Sequence, residues 1–169
     1  MKQHVVSALV ENRAGTLSRV AGLFSRRGFN IDSLTVGETE DNSISRMTIA
    51  VRGSNAVLEQ IVKQLEKLVD VIAVRELDAD SCLRREILLV KVSADEKTRQ
   101  AIIEIAGIFR ARIVDVSQTT VTIEATGDIG KLDGLVLLLR PYGILELART
   151  GLVALERGAL VLAAPSERP

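Results

Sequence analysis

The sequence has few of the residues on which most active sites and binding platforms depend. Its 169 residues include one histidine, one cysteine, no tryptophan and only four other aromatic residues. Base-stacking surfaces need aromatic faces, and a chain with 22 basic and 22 acidic side chains has no net charge to attract a phosphate backbone. A nucleic-acid-binding module is therefore disfavoured, although a local basic patch stays open.

The single cysteine and histidine also limit the chemistry. Cys82 cannot form a disulfide within the chain, which suits a reducing compartment, and Cys82 and His4 alone cannot complete a zinc site. The usual Ser–His or Cys–His catalytic pair needs a histidine, and we interpret His4 as a surface residue at the start of a strand. We place Cys82 in a linker beside Arg84 and Arg85, as an incidental thiol rather than a redox centre.

Several targeting and catalytic patterns are missing. No apolar run reaches the length of a membrane-spanning helix and the N-terminus has no signal-peptide pattern, so we expect a cytoplasmic protein. A GxxxxGK[ST] phosphate loop is also absent. Two acidic pairs, Asp78 with Asp80 and Glu40 with Asp41, lie in polar segments, where solvated charge is a simpler interpretation than acid–base catalysis. The sequence therefore predicts no catalytic residue and no metal ligand.

The chain repeats itself at half its length. Residues 21–36 and 106–121 share six of sixteen positions without a gap, where about one match is expected by chance. Each half follows the same predicted order: strand, helix, two strands, helix, strand. This order predicts an α+β fold of two tandem ferredoxin-like βαββαβ units, over residues 1–78 and 84–162.

Such a unit leaves one sheet face and two sheet edges uncovered, so we expect assembly. The first helix of the first unit is predicted to bury one face, formed by Leu17, Val20, Ala21 and Phe24. The apolar segment 151–162 has two interpretations, an added edge strand or a partner contact. Residues 163–169 are interpreted as a frayed tail.

The turn between the first strand and the first helix is the strongest candidate for a binding site. It reads Glu-Asn-Arg-Ala-Gly-Thr-Leu over residues 11–17. Gly15 lets a ligand approach the backbone closely, and the free N–H groups of the first helical turn favour a small carboxylate. Asn12 adds a donor and an acceptor that would orient the ligand. A well-made turn without a ligand is the alternative that the residues leave open.

The predicted second strand begins with polar residues. Asn30 follows Gly28, a predicted helix C-cap, and Asp32 follows Ile31. The split βαβ topology makes this strand a sheet edge, which can pair with the same strand of another chain across a two-fold axis. Asn30 and Ile31 would then lie near the interface and near the glycine turn of the other chain. Alternatively, Asn30 and Asp32 only keep the edge polar.

Six stretches of the chain carry a resemblance to a known family. They are residues 11–37, 45–49 and 64–71 in the first half and 85–92, 113–116 and 130–133 in the second. On these stretches the chain resembles the regulatory small subunit of acetolactate (acetohydroxyacid) synthase. Its first half resembles an ACT domain, an amino-acid-binding module.

The resemblance implies a non-catalytic regulatory subunit in branched-chain amino acid biosynthesis. Such subunits form a homodimer through their ACT domains and bind valine or another branched-chain amino acid at the dimer interface. They raise the activity of a separate catalytic large subunit and confer feedback inhibition on it. The resemblance places thiamine diphosphate and magnesium in that catalytic subunit, with FAD as an open option, and no cofactor in this chain.

The family's effector site is carried over residue by residue. One chain would contribute Asn12, Ala14, Gly15, Thr16 and Leu17, and the other Asn30 and Ile31. Backbone N–H groups near Gly15 would bind the α-carboxylate, and the oxygens of Asn12 and Asn30 would accept from the ammonium. Leu17 and Ile31 would form an apolar wall for the aliphatic side chain.

The second unit has no equivalent of the glycine turn. It reads Val-Ser-Ala-Asp at residues 92–95, and Asp95 would repel a ligand carboxylate. The spacing of Ser93 and Glu96 is that of a capping box at the start of the next helix. We therefore expect the second unit not to bind an amino acid in the same way, but to serve assembly or contact with the catalytic subunit.

Two other functions compete with this interpretation. One is a stand-alone tandem ACT sensor that acts on another enzyme or a transcription factor. The other is a small enzyme on the same fold, such as an acylphosphatase, whose glycine-rich anion loop with its arginine is not evident here. No nucleic-acid or membrane partner is expected.

Overall fold

The computed structural model describes residues 2–78 and 80–163. Within these ranges the chain forms two compact units. The first comprises the chain up to Leu83 together with a segment that begins at Leu152, and the second spans Arg84–Gly151. No helix in the described ranges is both long and apolar enough to span a membrane.

The first unit has the predicted order of elements. It contains β1 (Lys2–Glu11), α1 (Thr16–Arg27), β2 (Ile31–Glu38), β3 (Ile44–Gly53), α2 (Asn55–Leu65) and β4 (Val71–Leu77). The antiparallel sheet has the strand order β2-β3-β1-β4, which makes β2 and β4 its edges.

Side chains alternate between the two faces of this sheet. On one face Val6, Ile49 and neighbouring residues pack against apolar side chains of both helices, such as Phe24 and Ile61, and form a closed core. The predicted ferredoxin-like arrangement of the first unit is therefore confirmed.

The second unit repeats the arrangement. It contains most of β5 (Cys82–Ser93), then α3 (Arg99–Ile108), β6 (Arg112–Val116), β7 (Thr120–Gly127), α4 (Ile129–Leu139) and β8 (Ile144–Arg149). A short 3₁₀ turn, Arg140–Tyr142, separates α4 from β8. The strand order β6-β7-β5-β8 matches that of the first sheet, and Leu88, Ile102 and Leu135 lie in a separate core. The fold class expected from the sequence, two tandem ferredoxin-like units, is thus confirmed.

The last described segment returns to the first unit. β9 (Val153–Glu156) pairs with β5, and Ala154 is buried in a small cluster with Val5, Leu77 and Cys82. The expected second domain, residues 84–162, included this segment, whereas the compact unit ends at Gly151. The reason is that the apolar side of β9 is buried in the first unit. Of the predicted tail, residues 164–169 lie outside the described ranges.

Three local expectations are wrong. Cys82 is not in a linker but is the buried first residue of β5. His4 is buried, with its ring nitrogens 3.3 Å from Glu76 Oε1 and from the carbonyl oxygen of Gly53. The capping box from Ser93 does not form, because α3 begins only at Arg99.

Candidate functional site

The turn from β1 into α1 has the backbone geometry that a ligand-binding loop requires. Gly15 precedes the first residue of α1 and has φ +88° and ψ −15°, a left-handed conformation that side chains disfavour. No side chain caps the helix at this position. Ala14, like Gly15, is exposed in the turn. Of the predicted site residues of this turn, Asn12, Ala14, Gly15 and Leu17 are thus accessible, whereas Thr16 is buried.

The first turn of α1 carries unused backbone donors. The first amide within the helix to bond a preceding carbonyl in the helical pattern is that of Arg19, which donates to the carbonyl oxygen of Gly15 at 3.0 Å. In the described part of the chain, the N–H groups of Leu17 and Ser18 make no backbone hydrogen bond. Thr16 is buried, and its hydroxyl has no partner among the described residues. Such a helix start favours an anion.

Leu17 differs from its expected place. It was predicted to lie on the buried face of α1, but its side chain is 47% exposed. The buried stripe consists of Thr16, Val20, Leu23 and Phe24. Thr16 occupies the inward position at the start of the helix, which turns Leu17 outward. Leu17 is consequently available to a ligand or a partner chain instead of contributing to the core.

A cluster of ion pairs supports the turn. Asp70 is buried and lies in the loop that connects α2 to β4. Its carboxylate accepts hydrogen bonds from the guanidinium groups of Arg13 and Arg19, with Arg13 Nη2 at 3.0 Å. The hydrogen bond from Arg19, reinforced by the one from Arg13, holds the pKa of the Asp70 carboxyl below its usual value. Arg13 also pairs with Glu11.

The guanidinium of Arg19 lies directly over the turn. A Cβ atom built on Gly15 would stand 3.0 Å from Arg19 Nη1. Any side chain at Gly15 would therefore push against this group as well as strain the backbone. The turn thus combines free amide donors with a nearby positive charge.

Asn12 is fixed at the end of β1. Its side-chain nitrogen donates to Glu38 Oε1 at 3.0 Å and to the carbonyl oxygen of Asn42 at 2.8 Å. Both N–H groups of the amide are used in this way, which leaves its oxygen as the group that can accept a further hydrogen bond. The carboxylate of Glu38, at the end of β2, adds negative charge beside it. This corner suits an ammonium group.

Asn30 and Ile31 lie at the other end of the sheet. Ile31, half-buried against the core, begins the edge strand β2 and pairs with Val51, which pairs in turn with His4. Asn12 lies eight residues further along β1 than His4, a distance of about 26 Å at the usual rise per residue. Asn30 is exposed, and its side-chain nitrogen is 3.4 Å from Asp32 Oδ1. A single chain therefore does not bring the two groups of predicted site residues together.

No cluster suited to a metal ion accompanies this site. In residues 2–78 and 80–163, no group of three or more His, Cys, Asp or Glu side chains is placed to hold one.

Comparison with known proteins assigns the chain to a family. A family model described as the AHAS small subunit-like ACT domain matches residues 6–73, and one described as the small subunit of acetolactate synthase matches residues 85–158. The probable acetolactate synthase small subunit of Methanothermobacter thermautotrophicus is 56% identical over 157 residues, which cover 92% of this chain and 94% of that protein. The acetolactate synthase small subunit of Mycobacterium leprae is 52% identical over 155 residues, or 92% of each chain. This chain belongs to the acetolactate synthase small subunit family.

A solved structure supports the same assignment. The crystal structure of the acetolactate synthase small subunit from Thermotoga maritima matches with a TM-score of 0.89 and 42% sequence identity, over 95% of this chain and 100% of that one. The family resemblance that the sequence motifs indicated is therefore confirmed over nearly the whole chain. As a member of this family, the chain is a small, regulatory subunit with ACT domains.

The second unit of this small subunit has a different helix start. Asp95 Oδ1 accepts hydrogen bonds from the backbone amides of Lys97 at 2.9 Å and Thr98 at 2.8 Å, and from the Thr98 hydroxyl. The hydrogen bonds from Thr98 lower the pKa of the Asp95 carboxyl. The chain's own carboxylate thus takes the amide donors that precede α3. The turn before α3 therefore carries a negative charge where the turn before α1 has Gly15.

Sequence reasoning missed four residues around the site of the first unit. They are Arg13, Arg19, Glu38 and Asp70. Arg19 carries a local signal, since it lies four residues after Gly15 and so on the same side of the helix start. Asp70 carries none, because it is 51 residues from Arg19 and meets it only through the tertiary fold.

Proposed function

We propose that this chain binds valine or another branched-chain amino acid at a site shared by two ACT domains, activates the catalytic subunit of acetolactate synthase and confers feedback inhibition on it. The observation that carries the proposal is the glycine turn, where the free amides of Leu17 and Ser18 lie at a helix start beside the Arg19 guanidinium. A small carboxylate is the ligand that such a group of donors suits. In the proposed holoenzyme, thiamine diphosphate and magnesium, with or without FAD, belong to the catalytic subunit.

The polar groups around the turn match the other end of an amino acid. The side-chain oxygen of Asn12 accepts from the ligand ammonium, and the Glu38 carboxylate beside it strengthens the attraction. The exposed side chain of Leu17 provides apolar surface for an aliphatic group. An amino acid with a purely apolar side chain needs no further polar contact, which favours the branched-chain class.

A two-fold dimer would complete the site. When two edge strands β2 pair antiparallel, the start of each strand lies opposite the end of the other. Ile31 of one chain would then approach the region of Glu38 in the other, where Asn12 is bonded. Pairing of this kind would bring Asn30 and Ile31 to the turn that a single chain holds about 26 Å away. A shared site couples ligand binding to the geometry of the dimer, which is how a signal would reach the catalytic subunit.

A calorimetric titration of valine into the purified chain tests the proposal. We expect binding in the parent and its loss in Gly15→Asp, which places a carboxylate where the ligand's own would lie. Gly15→Asn is the matched control, because it has the same size and tolerates a positive φ better while carrying no charge. Loss of valine binding in Gly15→Asp together with retained binding in Gly15→Asn would support the proposed position of the ligand carboxylate. Equal binding by the parent and both variants would refute it.

Mixed dimers test whether two chains share the site. A dimer of one Gly15→Asp chain and one Asn30→Ala chain contains one intact site and one site with both changes. Random mixing makes half of the dimers mixed, so roughly a quarter of the parent's sites should return on refolding the two inactive variants together. Recovery of no sites would contradict a site shared by two chains.

A further inference from the structure

The face of the first sheet that carries no helix is covered by the end of the described chain. Register places Ser33, Ala50, Val5 and Leu77 in one row across the four strands. Val5 and Ala50 in the middle of this row are fully buried, although the helices pack on the opposite face. Residues 152–163, which we call the strap, lie over this face and contact strands across its width.

The first half of the strap is held to the first sheet at three points. The Leu152 amide donates to Ser33 Oγ on β2 at 2.9 Å. Ala154 is 1% exposed and packs with Val5 and Leu77 in the centre of the sheet. Glu156 forms an ion pair with Arg75 on β4, at the far edge. The strap therefore connects the edge strand that begins with Ile31 to the opposite edge of the same sheet.

The second half is held less firmly. Val161, Leu162 and Ala163 border a cavity of about 290 Å³ that Leu9 and Arg46 also line. Arg46 Nη1 donates to Ser7 Oγ at 2.9 Å, and burial lowers the pKa of its guanidinium. The apolar filling is incomplete here, whereas Leu152, Ala154, Glu156 and the Arg157 amide, which donates to the carbonyl oxygen of Ser81 at 3.0 Å, attach the first half.

We propose that the strap positions β2 for effector binding, and that its attachment regulates the site of the first unit. This inference rests on the proposed function. As an edge strand, β2 has hydrogen bonds to β3 on one side only, so a bond from Leu152 to Ser33 adds restraint that the sheet lacks there. Only two residues, Thr150 and Gly151, separate the strap from β8 of the second unit, so displacement of β8 would pull on the strap through the chain.

Two neighbouring substitutions in the full chain test the strap. Ala154→Asp buries a charge against Val5 and Leu77 and should detach the strap, whereas Val153→Asp adds the same charge on the side of β9 that is 45% exposed. We expect Ala154→Asp to weaken valine binding about tenfold and to speed amide hydrogen exchange in the peptide containing Ile31–Glu38. Val153→Asp should change neither. Equal effects of the two variants, or no effect of Ala154→Asp, would overturn the proposal.

The exchange measurement separates this proposal from the proposed function. If the parent does not bind valine, the effector assignment fails, while faster exchange of β2 in Ala154→Asp alone still supports a strap that restrains this strand. If Ala154→Asp does not fold, Ser33→Ala replaces it, since it removes only the acceptor of the Leu152 amide. Ser33→Ala should expose the Leu152 amide to exchange and loosen β2. Unchanged exchange at both places would show that the strap does not restrain the strand.

Discussion

The two units share one order of elements but differ in the turn before the first helix and in the open sheet face. In the first unit an exposed glycine, Gly15, precedes the helix, whereas in the second Asp95 accepts from the Lys97 and Thr98 amides in the turn before α3. The central strand of the first sheet buries Val5 completely on its open face, while Ile87 on the central strand of the second is 43% exposed. The repeat therefore keeps the core and changes the surfaces, which is where a regulatory subunit meets its effector and its partner.

Substitutions that create a cavity in either core should have the largest effects on the unfolding free energy. They also show whether the two units unfold independently. Ile61 and Leu135 are fully buried in the first and second core, so replacing either by alanine should cost about 2–5 kcal/mol of unfolding free energy in its own unit. Denaturant unfolding followed by peptide-level hydrogen exchange assigns each loss. Only Ile61→Ala should weaken valine binding. An equal loss of binding in Leu135→Ala would contradict the division of roles.

Acid should test the two carboxylates that define the comparison. Asp70 and Asp95 have pKa values lowered in the folded chain, so each contributes stability above the unfolded carboxyl pKa of about 3.9 and loses it as the pH falls through the lower folded value. Unfolding measured from pH 7 downward should show this loss. Asp70→Asn should reduce the acid dependence of the first unit and Asp95→Asn that of the second.

Binding distinguishes the same two variants at neutral pH. Asp70→Asn takes the charged acceptor from Arg13 and Arg19 and should weaken valine binding through the turn they hold. Asp95→Asn should leave binding by the first unit unchanged. If Asp95→Asn instead binds valine at a second class of sites, the charge of Asp95 is what prevents the second unit from binding valine.

The helix caps give a smaller contrast. Asp128 Oδ1 accepts from the Lys131 amide at 2.9 Å at the start of α4, and Ser54 Oγ accepts from the Val57 amide at 3.4 Å at the start of α2. Asp128→Ala should therefore cost about 1 kcal/mol of unfolding free energy, and Ser54→Ala less. Asp128→Asn, which keeps the acceptor, is the control. A larger loss from Ser54→Ala would show that these caps do not follow their hydrogen-bond lengths.

The smallest effect on stability is expected at the exposed face of the second sheet. Leu89 is 42% exposed there, so Leu89→Ser should change the unfolding free energy by no more than about 0.5 kcal/mol. If this face contacts the catalytic subunit, the variant should weaken that association in a pull-down titration. Val69→Ser, at an exposed position of the first unit, is the matched control. Equal association of both variants would place the contact elsewhere.

Local pattern was enough to predict most of the fold. Short apolar runs that end at turn-forming residues predict strands at residues 71–77 and 144–149, and β4 and β8 have these bounds. The helix start at Gly15 and the edge position of β2 were likewise predicted. The exposure of the Leu17 side chain was not predicted, because Thr16 takes the inward place at the start of α1. Periodicity alone does not show where a buried stripe begins.

Long-range contacts account for the rest. The ion pairs of Asp70 join residues more than fifty positions apart, and local spacing carries no trace of them. From the sequence, segment 151–162 is interpreted as an added edge strand or a partner contact, and only the row from Ser33 to Leu77 shows what the strap covers. The effector site is predicted in its turn from local sequence, whereas its supports come from tertiary structure.

The strap also determines when the first unit is completed during synthesis of the chain. The first unit includes residues on both sides of the second unit, so a ribosome finishes Leu77 long before it reaches Ala154. Until then Val5 has no strap to cover it, and the nascent ACT domain presents a bare apolar sheet face. Of the two units, the first therefore begins synthesis earlier and is completed later, and termination within the second unit would leave that face open to aggregation.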